Sequence, residues 1–253
     1  MPLPLNALLV CGGKYHDMDY ARLQLLEHLE RDDRIRTRVR EDYEDAAVLE
    51  DTDLLVTYTC DVRPSEPAQR ALRDWVEAGG RWLALHGTNA LLEPSPGKPF
   101  HCPEEYPLFM ETLGSRFLAH PPITPYTVTV SNPDHPLMKG IEAFETEDEL
   151  YLCEMIEGEG GIEPLLETRY TGKALGFEYD DWPDDDPRLV MYLHPVAAGC
   201  VLYLTLGHCR GKWDMRPLMD EYPIIERGAW ELPVYHELLE RGIRWAAEPK
   251  AEG

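Results

Sequence analysis

The chain contains nine histidines, and five of them, His16, His86, His120, His194 and His208, stand at or beside the ends of strand-like or loop segments. Imidazole titrates near pH 6.5, so a histidine held at such a place can take or give a proton. Its ring nitrogens can also bind zinc or another divalent metal. A single histidine at a turn is ordinarily a satisfied polar residue. The grouping carries more information: His16 follows "LNALLVCGG", His86 closes "RWLALHG", and His208 closes "CVLYLTLGH". His16, His86 and His208 are therefore the candidate catalytic residues. Asp17 beside His16, and Asp148 and Glu149 in "TEDELY", are carboxylates that could orient or join them, and Tyr151 is a candidate hydrogen-bond donor. With Gly87, Asn89 and His120 they make up the candidate substrate contacts. An exposed strand edge is the competing reading for Asp148 and Glu149. The residues leave open whether a divalent metal sits at the histidine cleft.

Other chemistries have weaker support. The six cysteines, at 11, 60, 102, 153, 200 and 209, include no Cys-x-x-Cys pair, so neither a zinc ribbon nor a redox motif is expected. Cys11, Cys60 and Cys209 each follow an apolar run and are the only thiols to weigh as nucleophiles. "CGGKYHD" has neither the G-x-G-x-x-G spacing of a dinucleotide site nor a Walker lysine followed by Ser or Thr. There is no G-x-S-x-G elbow.

The elements that must position these residues alternate. "LNALLVCGG", "DTDLLVTYTC" and "RWLALHG" are short apolar runs closed by turn residues, the pattern of strands buried on both faces. "IRTRVRED" alternates and belongs nearer an edge. "DYARLQLLEHLERD" has Leu23, Leu26 and Leu29 at helical spacing. "SEPAQRALRDWVEAGG" offers Ser65 as N-cap, an apolar face of Ala68, Leu72 and Val76, and a Gly-Gly stop. The order β-α-β-β-α-β over the first 87 residues predicts a parallel sheet with helices on both faces. Ligands then bind beyond the carboxyl ends of the strands, where the loops holding His16, Thr59–Val62 and His86 must meet. Residues 92–125 are Pro-rich and read as irregular, a candidate lid or pocket wall, with only Pro107–Leu113 helical. "YTVTVS", "EDELYLCEM", "GIEPLLETRY", "RLVMYLHPV" and "CVLYLTLGHC" are further strands, and "VYHELLERGIRWAAE" is an amphipathic helix.

The formal net charge of −23 argues against a nucleic acid or an anionic membrane as partner, since both would be repelled. No apolar run nears the ~20 residues of a membrane span, and no signal peptide is evident. The expected location is the cytoplasm. "EYDDWPDDDP" reads as a solvated acidic loop rather than a calcium site.

Taken in order, "CGGKYHD", "LALHGTNA", "LGSRFLAHPP", "NPDHPLMKGIEAFETEDELY", "GCVLYLTLGH" and "LLERGIRWAA" resemble the ThuA-like (trehalose utilisation) family. The resemblance spans about residues 5–247. It implies one ThuA-like domain over residues 1–253, an α/β flavodoxin-like, class I glutamine amidotransferase-like three-layer sandwich with a mainly parallel central sheet. Such amidotransferases carry a cysteine in a G-x-C-x-G elbow after the fourth strand and a histidine after a late strand. Here Leu85 stands in the cysteine's place, with His86 next to it, and His208 matches the late histidine. A glutaminase is therefore not expected. Some relatives hold a metal at histidines of this cleft; "TYTCDVRP", after the third strand, has no histidine.

The resemblance further implies carbohydrate catabolism. The expected function is an enzyme acting on trehalose-related or 3-keto sugars by histidine-centred acid–base chemistry, with or without a metal. The expected partners are a small-molecule sugar and further copies of the chain in a homo-oligomer. The alternatives are a non-catalytic sugar-binding or assembly protein and a hydrolase using a cysteine outside the elbow.

Overall fold

The computed structural model describes residues 4–93, 97 and 99–248. Its first half alternates as the apolar runs require: β1 (Leu5–Gly13), α1 (Met18–Glu30), β2 (Ile35–Arg40), β3 (Leu54–Cys60), α2 (Glu66–Glu77) and β4 (Arg81–Leu85). There follow α3 (Pro107–Leu113), β5 (Ser115–Ala119), β6 (Thr124–Val130), β7 (Phe144–Asp148), β8 (Leu152–Met155) and β9 (Glu163–Arg169). The chain ends with β10 (Gly172–Lys173), β11 (Asp181–Trp182), β12 (Pro187–Val196), β13 (Gly199–Leu204) and α4 (Pro233–Ala247). Nine strands form one sheet in the order β2-β1-β3-β4-β13-β12-β9-β6-β7. The pairings from β2 to β13 are parallel; those from β13 to β7 are antiparallel. The parallel half carries the site.

Alternation along the central strands divides the core in two, because successive side chains point to opposite faces. Leu9, Val56, Leu83 and Leu202 pack with Leu25 and Leu29 of α1 and Leu238 and Leu239 of α4. Leu8, Leu55, Trp82 and Tyr203 pack with Leu72 and Val76 of α2 and Phe109 of α3. Two helical layers over one sheet explain why the strands are apolar on both faces. Ser65 caps α2 by accepting a bond from the Ala68 amide at 3.4 Å. No helix among the described residues is long and apolar enough to cross a membrane.

The structure departs from the sequence reading in three places. The buried stripe of α1 is Ala21, Leu25, His28 and Leu29, and Leu23 is 55% exposed; the i, i+4, i+7 face lies one position away from the leucine triplet. Residues 92–125 are not irregular throughout, since β5 lies inside them and pairs with β8 as a separate ribbon. "EDELYLCEM" is two strands, broken at Glu149–Tyr151. The break sends β7 to the edge of the large sheet and β8 to the ribbon, and it sets Glu149 at the carboxyl end of the parallel strands.

Candidate functional site

Four side chains from four segments meet beyond β1, β4 and β13: His16, His86, Glu149 and His208, all buried. Strand order explains the meeting. β13 lies beside β4, with Leu204 opposite Leu85, so the loop after β13 runs alongside the turn after β4. That turn is tight. His86 itself takes a left-handed φ of +43°, directly after Leu85 at φ −122°, a conformation uncommon outside glycine. The residue at the turn is thus His86, not Leu85. Gly87 follows because nothing larger fits: a Cβ there would stand 2.7 Å from the Thr59 carbonyl oxygen.

Hydrogen-bond direction defines the cluster. His86 Nδ1 lies 2.8 Å from the Thr205 carbonyl oxygen and His16 Nδ1 lies 3.2 Å from that of Lys14. A carbonyl only accepts, so both Nδ1 atoms donate. In the neutral rings both Nε2 atoms then carry lone pairs, yet they face each other at 2.9 Å. His208 repeats the pattern: Nε2 donates to Glu226 Oε2 at 2.8 Å, and the buried Nδ1 has no hydrogen-bond partner. Glu149 Oε2 lies 3.5 Å from His16 Nε2, 3.6 Å from His86 Nε2 and 3.3 Å from His208 Nδ1. Four lone-pair donors aimed at one point repel unless a cation, proton or metal, lies among them.

A divalent metal fits this donor set. Bonds of roughly 2.0–2.1 Å in a tetrahedron give ligand-to-ligand edges of about 3.4 Å, close to the distances to Glu149. Each histidine also gives its outer N–H to a carbonyl or carboxylate, the arrangement that fixes ring orientation at metal sites. His16, His86, Glu149 and His208 are the residues that would hold the ion.

Without the ion, the charges separate. Burial pushes the His16 pKa down to about 3, against the pull of Glu149. Burial would also lower that of His208, but Glu149 and Glu226 outweigh it and raise the value to about 9. Burial alone would raise Glu149, yet His208, His120 and His16 hold it well below the usual carboxylate range. Arg210 adds a bond of 2.9 Å to Glu149 Oε1.

The other expected site residues divide into two groups. His120 and Tyr151 line a cavity of about 90 Å³ that touches His16 and Glu149. His120 Nε2 lies 3.8 Å from Glu149 Oε1, and the Tyr151 ring centroid lies 4.6 Å from that of His86. Asp17, Asp148 and the Asn89 amide nitrogen are committed elsewhere, while Asn89 Oδ1 is buried without a hydrogen-bond partner. Asp17 caps α1 through the Tyr20 amide and pairs with Arg227 at 3.0 Å. Asp148 is buried beneath the loop after β13, where it accepts amide bonds from Gly207, His208 and Ala229. Asn89 donates to Ser115 Oγ at 2.6 Å, within the protein. His194 likewise serves the fold, contacting the Thr112 carbonyl at 3.0 Å and the Gly158 amide. Neither Asp148 nor Glu149 lies on an exposed edge.

The thiols are unsuited to attack. Burial pushes Cys11 and Cys209 up to about 12 and Cys60 well above its ordinary value. A buried thiol kept protonated is a poor nucleophile.

Two functional residues escaped the sequence reading. Arg210 links Glu149 to Glu226, and Glu226 orients His208. Arg210 lies two residues after His208 and could have been noticed; Glu226 sits in "YPIIERG", a loop with no periodic signal.

Comparison with known proteins agrees with this architecture. A ThuA-like protein of Bacteroides uniformis superposes with a TM-score of 0.68 at 18% identity, covering 100% of this chain and 96% of that one. One from Parabacteroides merdae gives 0.67 at 18%, covering 99% and 92%. A Thermoplasma acidophilum protein described as a GMP synthase subunit gives 0.52 at 10%, covering 98% and 96%. At these identities the likeness shows the flavodoxin-like, glutamine amidotransferase-like fold alone. No curated protein matches the sequence. The family model for ThuA, trehalose utilisation, matches residues 6–221. The chain belongs to the ThuA family.

Proposed function

We propose that the protein is an enzyme of carbohydrate catabolism acting on a carbonyl-bearing sugar, a 3-keto or trehalose-related one, by acid–base chemistry beside a divalent metal. The observation that carries this reading is the facing pair of Nε2 lone pairs of His16 and His86 at 2.9 Å, joined by the unpartnered Nδ1 of His208. A bound divalent ion supplies Lewis acidity, polarising a carbonyl and stabilising developing negative charge.

The chain's own groups supply the rest. His16, His86 and His208 act as ligands in this reading rather than as the mobile acid or base. That role falls to His120. Its Nδ1 faces the Pro121 carbonyl at 2.9 Å and donates to it, so Nε2 is the basic nitrogen. Its side chain is 28% exposed, against 3% or less for the three cluster histidines. His120 is placed to take the acidic proton from a carbon next to a substrate carbonyl and to return one. Enolisation, epimerisation or loss of the glycosidic group all begin with that proton.

The test is incubation with 3-keto-trehalose and methyl 3-keto-glucoside in deuterated buffer, with and without chelator, followed by NMR. Exchange or turnover that chelation abolishes supports the reading. Inertness toward both sugars, together with no divalent metal by elemental analysis, overturns it.

A further inference from the structure

We infer that the substrate is a glycoside with a flat apolar aglycone, an aryl group above all, rather than a disaccharide. This rests on the keto-sugar reading and narrows it. The cavity touching His16 and Glu149 is about 90 Å³, smaller than the ~150 Å³ apolar cavity that accepts a benzene. It takes at most one ring, and the remainder of any larger substrate lies at the mouth.

The walls are aromatic. The Phe117 ring lies 4.6 Å from Tyr151 and 5.6 Å from Phe177, and Phe177 lies 4.8 Å from His120. The two charged groups at the floor, Glu149 and Arg210, are already engaged. Glu149 Oε1 accepts from Arg210 Nη2, and Arg210 gives its other donors to the Tyr15 carbonyl and to Glu226. A second sugar unit would bring several hydroxyls to a place with few free partners, and unpaired polar groups lose affinity when water is removed.

The mouth is apolar as well. Among the described residues, every large hydrophobic side chain that stands exposed, Leu23 apart, lies on one of two loops, 175–179 and 213–225; Ile224 and Ile225 of the second line a separate cavity beside His208. The same two loops build the cavity wall, through Phe177 from the first and Met215 and Leu218 from the second. Leu218 spans both roles, lining the cavity while 44% exposed. In a chain of net charge −23, exposed Leu218 beside the partly buried Met215 and Phe177 gives the opening an apolar lip, the mark of a binding surface. A planar aryl group suits aromatic edges and needs no hydrogen bonds.

The experiment is calorimetric titration of phenyl glucoside, methyl glucoside and trehalose into the full chain, alongside Leu218→Asn and Trp213→Ser. Phenyl glucoside should bind at least tenfold more tightly than the other two, and Leu218→Asn should shrink that ratio to below threefold. Trehalose binding as tightly as phenyl glucoside overturns the inference. So does the absence of an aryl preference in a dimer that Leu218→Asn dissociates, since a second copy would then cover the rim. The affinity order is read without turnover. Inertness toward keto-sugars would sink the catalytic reading alone, and turnover without an aryl preference would sink only this one.

Discussion

Two pairs of histidines touch in this molecule at the same distance, and they do opposite things. His28 Nε2 lies 2.9 Å from His236 Nδ1, with the rings stacked between α1 and α4. His236 Nε2 lies 2.8 Å from the Trp230 carbonyl and must donate to it. That leaves His236 Nδ1 free to accept, and His28 donates to it. The relay runs in one direction and needs no added charge. In the His16–His86 pair both outer nitrogens donate to carbonyls, so in the neutral rings the inner two present lone pairs to each other and need a proton or a metal between them. The direction of hydrogen bonding, and not the density of histidine, separates a structural pair from a cation site.

The largest expected effect falls on one pair alone. His86→Ala should cut bound divalent metal from one ion per chain to almost none, with keto-sugar turnover falling in step with the metal lost, while His236→Ala leaves metal content unchanged by elemental analysis. Equal loss from both variants would erase the distinction. Glu226→Gln comes next: it removes the carboxylate that orients His208, and metal affinity should fall roughly 10–100-fold by competition with a chelating dye. For the structural pair the effect is on stability. His236→Ala strips His28 of its acceptor and should cost about 1–3 kcal/mol in chemical denaturation.

Protonation gives a finer contrast. In metal-free protein His208 is raised to about 9, so its stabilisation is complete below its unfolded pKa near 6.5 and is lost as pH rises through 9. His28 is lowered to about 4 by burial, Arg31 and His236; its contribution is lost as pH falls from 6.5 toward 4. Melting curves of chelated protein should therefore show a His208-dependent decline on the alkaline side, which metal removes, and a His28-dependent decline on the acid side, which metal leaves intact. The smallest effect expected is from iodoacetamide at neutral pH, which should leave turnover unchanged, since Cys60 beside the cavity is held protonated.

The sequence made the parallel half of the sheet legible because apolar runs ending in Gly, Cys or His recur there; the alternation predicts a parallel sheet, but not the place of β13 beside β4. The convergence of His16 with His86 came from the same rule. What it could not convey was direction. Which nitrogen of each ring faces the cleft depends on the Lys14 and Thr205 carbonyls, and backbone oxygens have no signature in side-chain identity. The neighbours Asp148 and Glu149 looked equivalent. A strand break after Asp148 sends one to brace amides and the other to the cluster. Glu226 was invisible for a related reason: its partner lies eighteen positions away across an irregular loop.

That loop begins and ends on a small bridge. Arg210 and Glu226 exchange backbone hydrogen bonds of 2.9 Å in both directions, and their side chains are the ones that brace Glu149 and His208. The base of the loop is therefore part of the histidine–carboxylate cluster, while its tip reaches the cavity through Met215 and Leu218. Selection, or a protein engineer, can rewrite residues 213–219 at the cavity rim without disturbing the bridge that braces the cluster. The same closure makes any insertion at 210 or 226 a change to the cluster, so diversity among loop variants should collect at the tip and stop at the bridge.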